Sequence, residues 1–349
     1  LKKLKQLYSQ IFDFENLLEA YKQARKCKRY RNEVLKFTAN LEENLINIQN
    51  ELIWKTYSVG KYHEFFVHDP KKRLIMALPF KDRVVQWAIY RVLNPLLNKR
   101  YISHSYACRV GYGTHGAVAK VQYWLKNLDR KNNNLYVLKM DVSKYFYRVD
   151  HDSLVGILKR TIADKELLQL LETIIRSDHA SFGINLGDHD FAGDRIAGIG
   201  MPIGNLTSQM FANVYLNELD QYAKHVLKTK YYVRYMDDVL ILHPDKQVLH
   251  RYKTLVEQFV QDELCLELNN KTCIRTINQG VEFCGYRIWP THIKLKKKTA
   301  LKMKHRLKYL QKQYARGDIN YYRANASVQS YMGIMKHFDS YSLKTSKCF

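Results

Sequence analysis

The spacing of hydrophobic residues changes period repeatedly along this chain, and each change marks a different kind of element. Phe14, Leu17, Leu18 and Tyr21 recur at helical spacing, as do Leu41, Leu45, Ile48 and Leu52, so residues 1–60 read as helices. Residues 62–67 and 73–78 are short β-rich runs around Asp69-Pro70-Lys71-Lys72, which predicts a hairpin with three cations near its tip. Phe80 opens a helix. A glycine-spaced loop, residues 105–115 with Arg109 at its centre, leads into another helix over 116–128. Residues 135–140 are almost continuously apolar, as in a strand buried on both faces, and the run ends in Asp141. The stripe Leu154, Ile157, Leu158, Ile162 predicts a helix that Asp152 is expected to cap. Residues 179–200, rich in Gly, Asp and His, read as a loop or small hairpin in which His179 and His189 are solvated. Gly200 to Gln209 form a turn into a long helix that buries Phe211, Val214, Tyr215, Leu219 and Tyr222. An amphipathic helix over 247–264, a strand and turn over 266–271, a hairpin over 281–288 and basic helices from Thr291 complete the pattern.

One stretch organises the rest. Residues 231–235 and 239–243 are two β-rich runs separated by a tight reversal that carries Asp237 and Asp238. Neighbouring side chains in a strand point to opposite faces, so two adjacent acids share a direction only at a turn. Two carboxylates held together repel unless a cation offsets them, and all-oxygen donors suit Mg²⁺. The plain alternative is a polar hairpin tip. Asp141 faces a similar choice: a carboxylate closing a buried strand needs a cation or a hydrogen-bond donor. With Asp152 taken as the cap of the following helix, Asp141 becomes a candidate metal ligand.

Composition then narrows the partners. Lys and Arg number 57 against 33 Asp and Glu, a net charge of +24, so a polyanion is the default partner. Half of that excess lies in residues 291–349, where 14 Lys and Arg face two Asp, as expected of a face for a duplex backbone. Twenty-six Tyr among these cations suit stacking on unpaired bases, although most such rings fill core. The six Cys show no C-x-x-C spacing, so reduced thiols are expected rather than zinc ligands or disulfides. No apolar run approaches membrane-spanning length and no signal-peptide pattern opens the chain, so with its reduced thiols a cytoplasmic protein is expected.

Taken in order, the cationic hairpin with Arg73, the strand ending in Asp141, the 202–209 turn, Tyr235-Met236-Asp237-Asp238, residues 266–271 and Phe283-Cys284-Gly285-Tyr286 resemble a reverse transcriptase. Pro202-Ile203-Gly204-Asn205-Leu206-Thr207-Ser208-Gln209, the string 285–292 and the opening Phe14-Glu15-Asn16-Leu17-Leu18 resemble the branch found in diversity-generating retroelements. The resemblance implies an α+β right-hand polymerase fold. Its parts would be an N-terminal helical extension (1–60), fingers (61–134), a palm (135–290, with the 179–200 insertion) and a basic helical thumb (291–349).

It also implies roles. Asp141, Asp237 and Asp238, with the backbone carbonyl of Val142, would hold two Mg²⁺ ions, for which Mn²⁺ can substitute. Arg73 with Lys72 or Lys71 would hold the dNTP triphosphate, near Gln209. Phe146 would be the ring that rejects a ribose 2′-hydroxyl. Lys271 matches a proposed general acid for pyrophosphate, with a structural role as the alternative. Arg109, Ile203 and Gly204 would lie on the template side, and the turn carrying Phe283, Gly285 and Tyr286 would grip the primer. Two departures stand out: Ile203 where relatives carry Gln, and Tyr147 where they often carry Pro. The implied partners are template RNA, the RNA/cDNA duplex, dNTPs and a small basic accessory protein in the form of a pentameric helical barrel. The expected activity is error-prone, adenine-mutagenic cDNA synthesis. A retron or phage-defence reverse transcriptase, an inactive maturase-like RNA scaffold and a metal nuclease are the competing readings.

Overall fold

A computed structural model describes residues 2–68, 73–129, 134–177, 181–184 and 195–340. The chain starts with helices α1 (Tyr8–Phe12), α2 (Phe14–Ala24), α3 (Asn32–Ala39) and α4 (Leu41–Ile53). The predicted hairpin follows as β1 (His63–Val67) and β2 (Arg73–Ala77), then α5 (Phe80–Asn98) and α6 (Thr114–Asp129). Next come β3 (Tyr136–Asp141), α7 (Tyr145–Arg148), α8 (His151–Thr161), α9 (Lys165–Ile175) and α10 (Leu206–Gln221). The acid-bearing hairpin is β4 (Tyr232–Tyr235) and β5 (Asp238–His243), followed by α11 (Lys246–Asp262). Four short strands close the sheets: β6 (Cys273–Thr276), β7 (Val281–Phe283), β8 (Tyr286–Ile288) and β9 (Ile293–Leu295). Helices α12 (Lys297–Ala315) and α13 (Tyr321–Met335) end the described chain. Among the described residues, no helix is long and apolar enough to cross a membrane.

The chain divides into two compact units, each assembled from separate segments: residues 1–103, 141–228 and 254–270, and residues 104–140, 229–253 and 271–349. In the first, α2 and α10 pack on α5, and α8 packs on α9 and α10. Aspartates cap two of its amphipathic helices. The Asp13 side chain caps α2 by accepting from the Asn16 amide, and Asp164 caps α9 through the Leu167 amide. The other oxygen of Asp164 accepts from the amides of Leu7 and Tyr8 at 2.7 and 2.9 Å, which fastens α1 to the start of α9. The cap of α8 differs from expectation. Asp150, not Asp152, accepts from the Ser153 amide at 2.7 Å, because the helix begins at His151 and a cap must precede the first helical residue. Asp152 lies in the first turn and pairs with Arg176.

The second unit holds two sheets. One has the strand order β4-β5-β3-β6, and in the other β7, β8 and β9 pair antiparallel in sequence. The cluster behind them joins Val121, Trp124 and Leu125 of α6 to Val233, Leu240, Phe283, Ile288 and Met303. Helix α6 packs on β4 and β8, and α12 on α13. Phe283 and Tyr286 pair across the two-residue turn Cys284-Gly285, and both turn residues have positive φ, the geometry that matches strand twist in a tight hairpin.

Candidate active site

The acid-bearing turn is narrower than its sequence suggests. Tyr235 pairs directly with Asp238, so the reversal consists of Met236 and Asp237 alone, and Asp238 is the first residue of β5. Met236 takes φ +54°, a left-handed conformation that costs a non-glycine residue about 1–2 kcal/mol. Arg234 holds it there. This guanidinium is fully buried and donates from Nη1 to the Met236 carbonyl at 2.9 Å, while the backbone of Arg234 bonds His104 O and Tyr106 N. Behind the turn, Val239, Leu240, Ile241 and Leu242 are all buried.

Asp238 does not face solvent alone. The Lys139 ammonium on β3 lies 3.2 Å from Asp238 Oδ2 and donates to the Glu282 carbonyl at 2.9 Å. Burial, then the Asp238 charge, push the Cys284 thiol well above its usual range. Among the described residues, no three His, Cys, Asp or Glu side chains are gathered as a metal centre would gather them. The turn nevertheless fits a hard divalent ion by its donor chemistry: it offers carboxylate oxygens, and one of them already accepts a cation in the form of Lys139.

Asp141 closes β3 and belongs to the first unit. Its backbone is pinned. Its carbonyl accepts from Asn269 at 2.6 Å, and Ser143 N donates to Glu267 O at 2.8 Å, on either side of an isolated Val142–Leu268 bridge. The strand expected over 266–271 is reduced to that bridge. Buried Arg148 pairs with Glu267 at 2.5 Å and fixes the same loop. Helix α7 follows Lys144, which takes φ +47°, and the buried Tyr145 hydroxyl donates to Ala212 O at 2.7 Å. Half-buried Phe146 accepts from Met201 N through its carbonyl.

The two strands of the cationic hairpin are buried unequally. Every residue of β1 is exposed, whereas β2 alternates, with Leu74 and Met76 buried. Met76 N donates to Ile203 O at 3.0 Å, and Arg195 grips Glu64 with both nitrogens at 2.8 and 2.7 Å. A Cβ on Gly204 would stand 3.2 Å from Ile75 Cγ2 and 3.3 Å from Met76 O at φ +125°, so that approach requires glycine. Arg73 begins β2, exposed. The Tyr147 phenol is pushed up by burial, and the nearby Arg73 charge offsets part of that rise. Lys71 and Lys72 lie outside the described residues, as do His179 and His189.

The two faces of β2 separate Ile203 from Gly204. Ile203 lines an apolar pocket with Leu74, Met76, Tyr147 and Phe182. Gly204 and Gln209 line a cavity of about 620 Å³ with Phe65, Ile75, Trp87 and Arg31. Lys28, Arg31, Lys61 and Arg83 share its lining with one acid, Glu33, so the cavity is electropositive, and burial, then Arg83 and Arg31, lower Lys28. The amide start of α10 is already served within the protein: Leu206 N takes the Gln86 side-chain oxygen at 3.1 Å, and Thr207 and Ser208 are buried. Arg109 is likewise turned inward, donating to Ser105 O at 2.6 Å with its guanidinium 3.9 Å from the Tyr112 ring centre. Phe283 and Tyr286 serve the core, which leaves Cys284 and Gly285 as the tip of their hairpin. Lys271 is exposed. Lys139, Arg234 and Gln86 escaped the sequence reading. The only signal was a charged residue inside an apolar strand for the first two, and none for Gln86.

Residues 67–288 match the model of the family described as Reverse transcriptase (RNA-dependent DNA polymerase). Among curated proteins, the chain is 27% identical over 241 residues to Protein YkfC of Escherichia coli, covering 60% of this chain and 61% of that one. It is 25% identical over 223 residues to the group II intron-encoded protein LtrA of Lactococcus lactis, covering 61% of this chain and 34% of LtrA. A solved structure of telomerase from Candida tropicalis in complex with a fragment of telomeric RNA superposes with a TM-score of 0.50 at 13% identity, covering 81% of this chain and 56% of that one. At that identity the likeness is one of fold, and it agrees with the α+β right-hand architecture expected from the sequence.

Proposed function

The chain belongs to the reverse transcriptase family, and from that premise we propose that it is an RNA-directed DNA polymerase, a nucleotidyltransferase. One observation carries this reading: the matched stretch, residues 67–288, contains Arg73, Asp141 and the Asp237-Asp238 turn in its sequence. We assign Asp141, Asp237 and Asp238, with the Val142 carbonyl, as the ligands of two Mg²⁺ ions, replaceable by Mn²⁺. Held by these residues, the ions would supply Lewis-acid activation of a primer 3′-hydroxyl and positive charge beside the α-phosphate and pyrophosphate. Arg73 and Lys72 bind the triphosphate as fork and point charge. Phe146 excludes the 2′-hydroxyl, Lys271 stands at the pyrophosphate, and the Cys284-Gly285 tip meets the primer. The electropositive cavity at Gly204 and Gln209 suits the template strand.

At the finer level, we infer error-prone copying of a retroelement's own RNA for diversification of a target gene. The support is the string 202–209 and the replacement of a polar side chain by Ile203, which packs against Met76 on the strand that starts with Arg73. Selection by shape alone is weaker than selection by hydrogen bonds. Partners are template RNA, its duplex with cDNA, dNTPs and a small basic accessory protein. The setting is the cytoplasm. Sequencing cDNA made on a defined primed RNA tests both levels. Wild type should copy, and Asp237→Asn should not; copying by both would overturn the metal assignment, and by neither would favour an RNA-binding scaffold. Adenine misincorporation should fall in Ile203→Gln, and an unchanged error spectrum discards the fidelity role of Ile203. Full-length cDNA from the polymerase alone would argue against the accessory protein.

A further inference from the structure

Lys139 sits oddly on its strand. Its neighbours Leu138 and Met140 are buried, and a half-buried lysine among them loses hydration and rotamer freedom that its contacts must offset. Those contacts run in two directions. Lys139 Nζ reaches Asp238 Oδ2 at 3.2 Å and the Glu282 carbonyl at 2.9 Å. Glu282 in turn holds Lys296 at 2.6 Å and stands 3.6 Å from Arg287. Lys296 is the residue from which α12 begins, and its amide donates to the Gly285 carbonyl at 3.0 Å. The Glu282 carboxyl is held below its usual range, by Lys296 first and also by Arg287 and Lys139.

These contacts form a continuous chain, Asp238–Lys139–Glu282–Lys296, whose middle link runs through the Glu282 backbone carbonyl; it leads from the acid-bearing turn, across β3 and β7, to the root of the basic helix pair. We propose that Lys139 is a positioning residue with two tasks. It neutralises and orients the Asp238 carboxylate before a divalent ion is present, and it ties that carboxylate to the Cys284-Gly285 hairpin and the start of α12. The inference rests on the polymerase reading for its purpose, but its contacts stand apart from it. A lysine serving only stability would move metal binding and turnover together. A lysine that shares a carboxylate with the ion moves them in opposite directions, because removing its charge removes a competitor for the metal while releasing the ligand from its place.

The test compares Lys139→Met, Lys139→Arg and Lys296→Met in the full chain. Mn²⁺ binding is read by electron paramagnetic resonance without nucleic acid or dNTP, and turnover on a primed RNA is read separately. Lys139→Met should bind Mn²⁺ about three- to tenfold more tightly, since a unit charge at this range repels a cation appreciably. Its kcat should fall by about tenfold or more, as expected when a reacting group loses its position. Lys139→Arg, which keeps the charge, should restore Mn²⁺ affinity to the wild-type value and recover most of kcat. Lys296→Met should leave Mn²⁺ binding unchanged and raise KM for primer–template severalfold. Weaker or unchanged Mn²⁺ binding in Lys139→Met overturns the proposal, as does an unchanged kcat. A wild type that binds Mn²⁺ yet copies no template defeats the polymerase reading, while the binding comparison still decides the role of Lys139.

Discussion

Two hairpins of this protein carry charge at their tips and are built in opposite ways. The β4–β5 hairpin lies in a four-stranded sheet with most of its strand residues buried, and a fully buried arginine braces its turn. The β1–β2 hairpin is a two-stranded sheet with one strand exposed throughout, secured by Met76 on Ile203 and Arg195 on Glu64. Isolated two-stranded hairpins are marginal in water, so the second depends on those few anchors and opens more readily. The difference fits the chemistry assigned to each. Carboxylates that share metal ions need fixed spacing, and a cation that must take and release a triphosphate at each step needs a support that can give. Rigid support under the acids and loose support under the arginine is the expected division.

The largest way to break that comparison is Arg234→Met. It removes the donor to Met236 O and leaves a strained turn unsupported, a loss of about 3 kcal/mol for a buried charged group whose partners stay behind. Urea denaturation should show that loss, and activity should vanish with it. Wild-type stability in Arg234→Met would mean that the turn is not braced as described. Arg73→Ala should behave differently. Arg73 is exposed at the strand end, so stability should change by less than about 0.5 kcal/mol. KM for dNTP should rise about tenfold, the value of one charge-assisted contact of about 1.4 kcal/mol. Steady-state kinetics beside a melting curve separates the two, and a destabilised Arg73→Ala would erase the distinction between the hairpins.

Both hairpins were legible in the sequence because their signals are local: alternation, a turn and flanking β-branched residues. The start of α10 at the 202–209 turn and the buried strand ending in Asp141 were readable for the same reason. What surrounds them was not. Lys139 meets a partner 99 residues away, and the Gln86 oxygen that serves the start of α10 lies 120 residues before it. Such pairings are set by tertiary structure and leave no periodicity. The cap of α8 was misjudged for a subtler reason: Asp150 and Asp152 flank one histidine, and only the backbone decides which lies outside the helix. The inward turn of Arg109 shows the converse, where a basic residue in a glycine loop was expected on the template side and its guanidinium bonds the Ser105 carbonyl of its own loop.

The smallest effect sharpens the comparison through pH. In the unit that carries β4–β5, His115 at the start of α6 stacks on His337 with ring centres 3.6 Å apart and planes 20° from parallel, with the Tyr286 ring 6.1 Å away. Loss of water, then the proximity of His337, lower the His115 imidazole. In the other unit, burial first, and also Arg176, lower His151, whose Nε2 meets Gly200 O at 2.7 Å; that bond and the acids Asp150 and Asp152 act the other way. A histidine whose folded value is lowered favours the neutral form. Its contribution is complete above the unfolded value of about 6.5 and is lost as pH falls through the folded value, because the unfolded chain then binds more protons. Melting temperature should therefore drop between pH 7.5 and 5. His115→Phe keeps a flat ring against His337 and cannot charge, so it should make that drop shallower by on the order of 2 °C, leaving the part that belongs to buried His151. Identical pH slopes for wild type and His115→Phe would show that the stack carries no such penalty and that acid sensitivity resides in the unit bearing the looser hairpin.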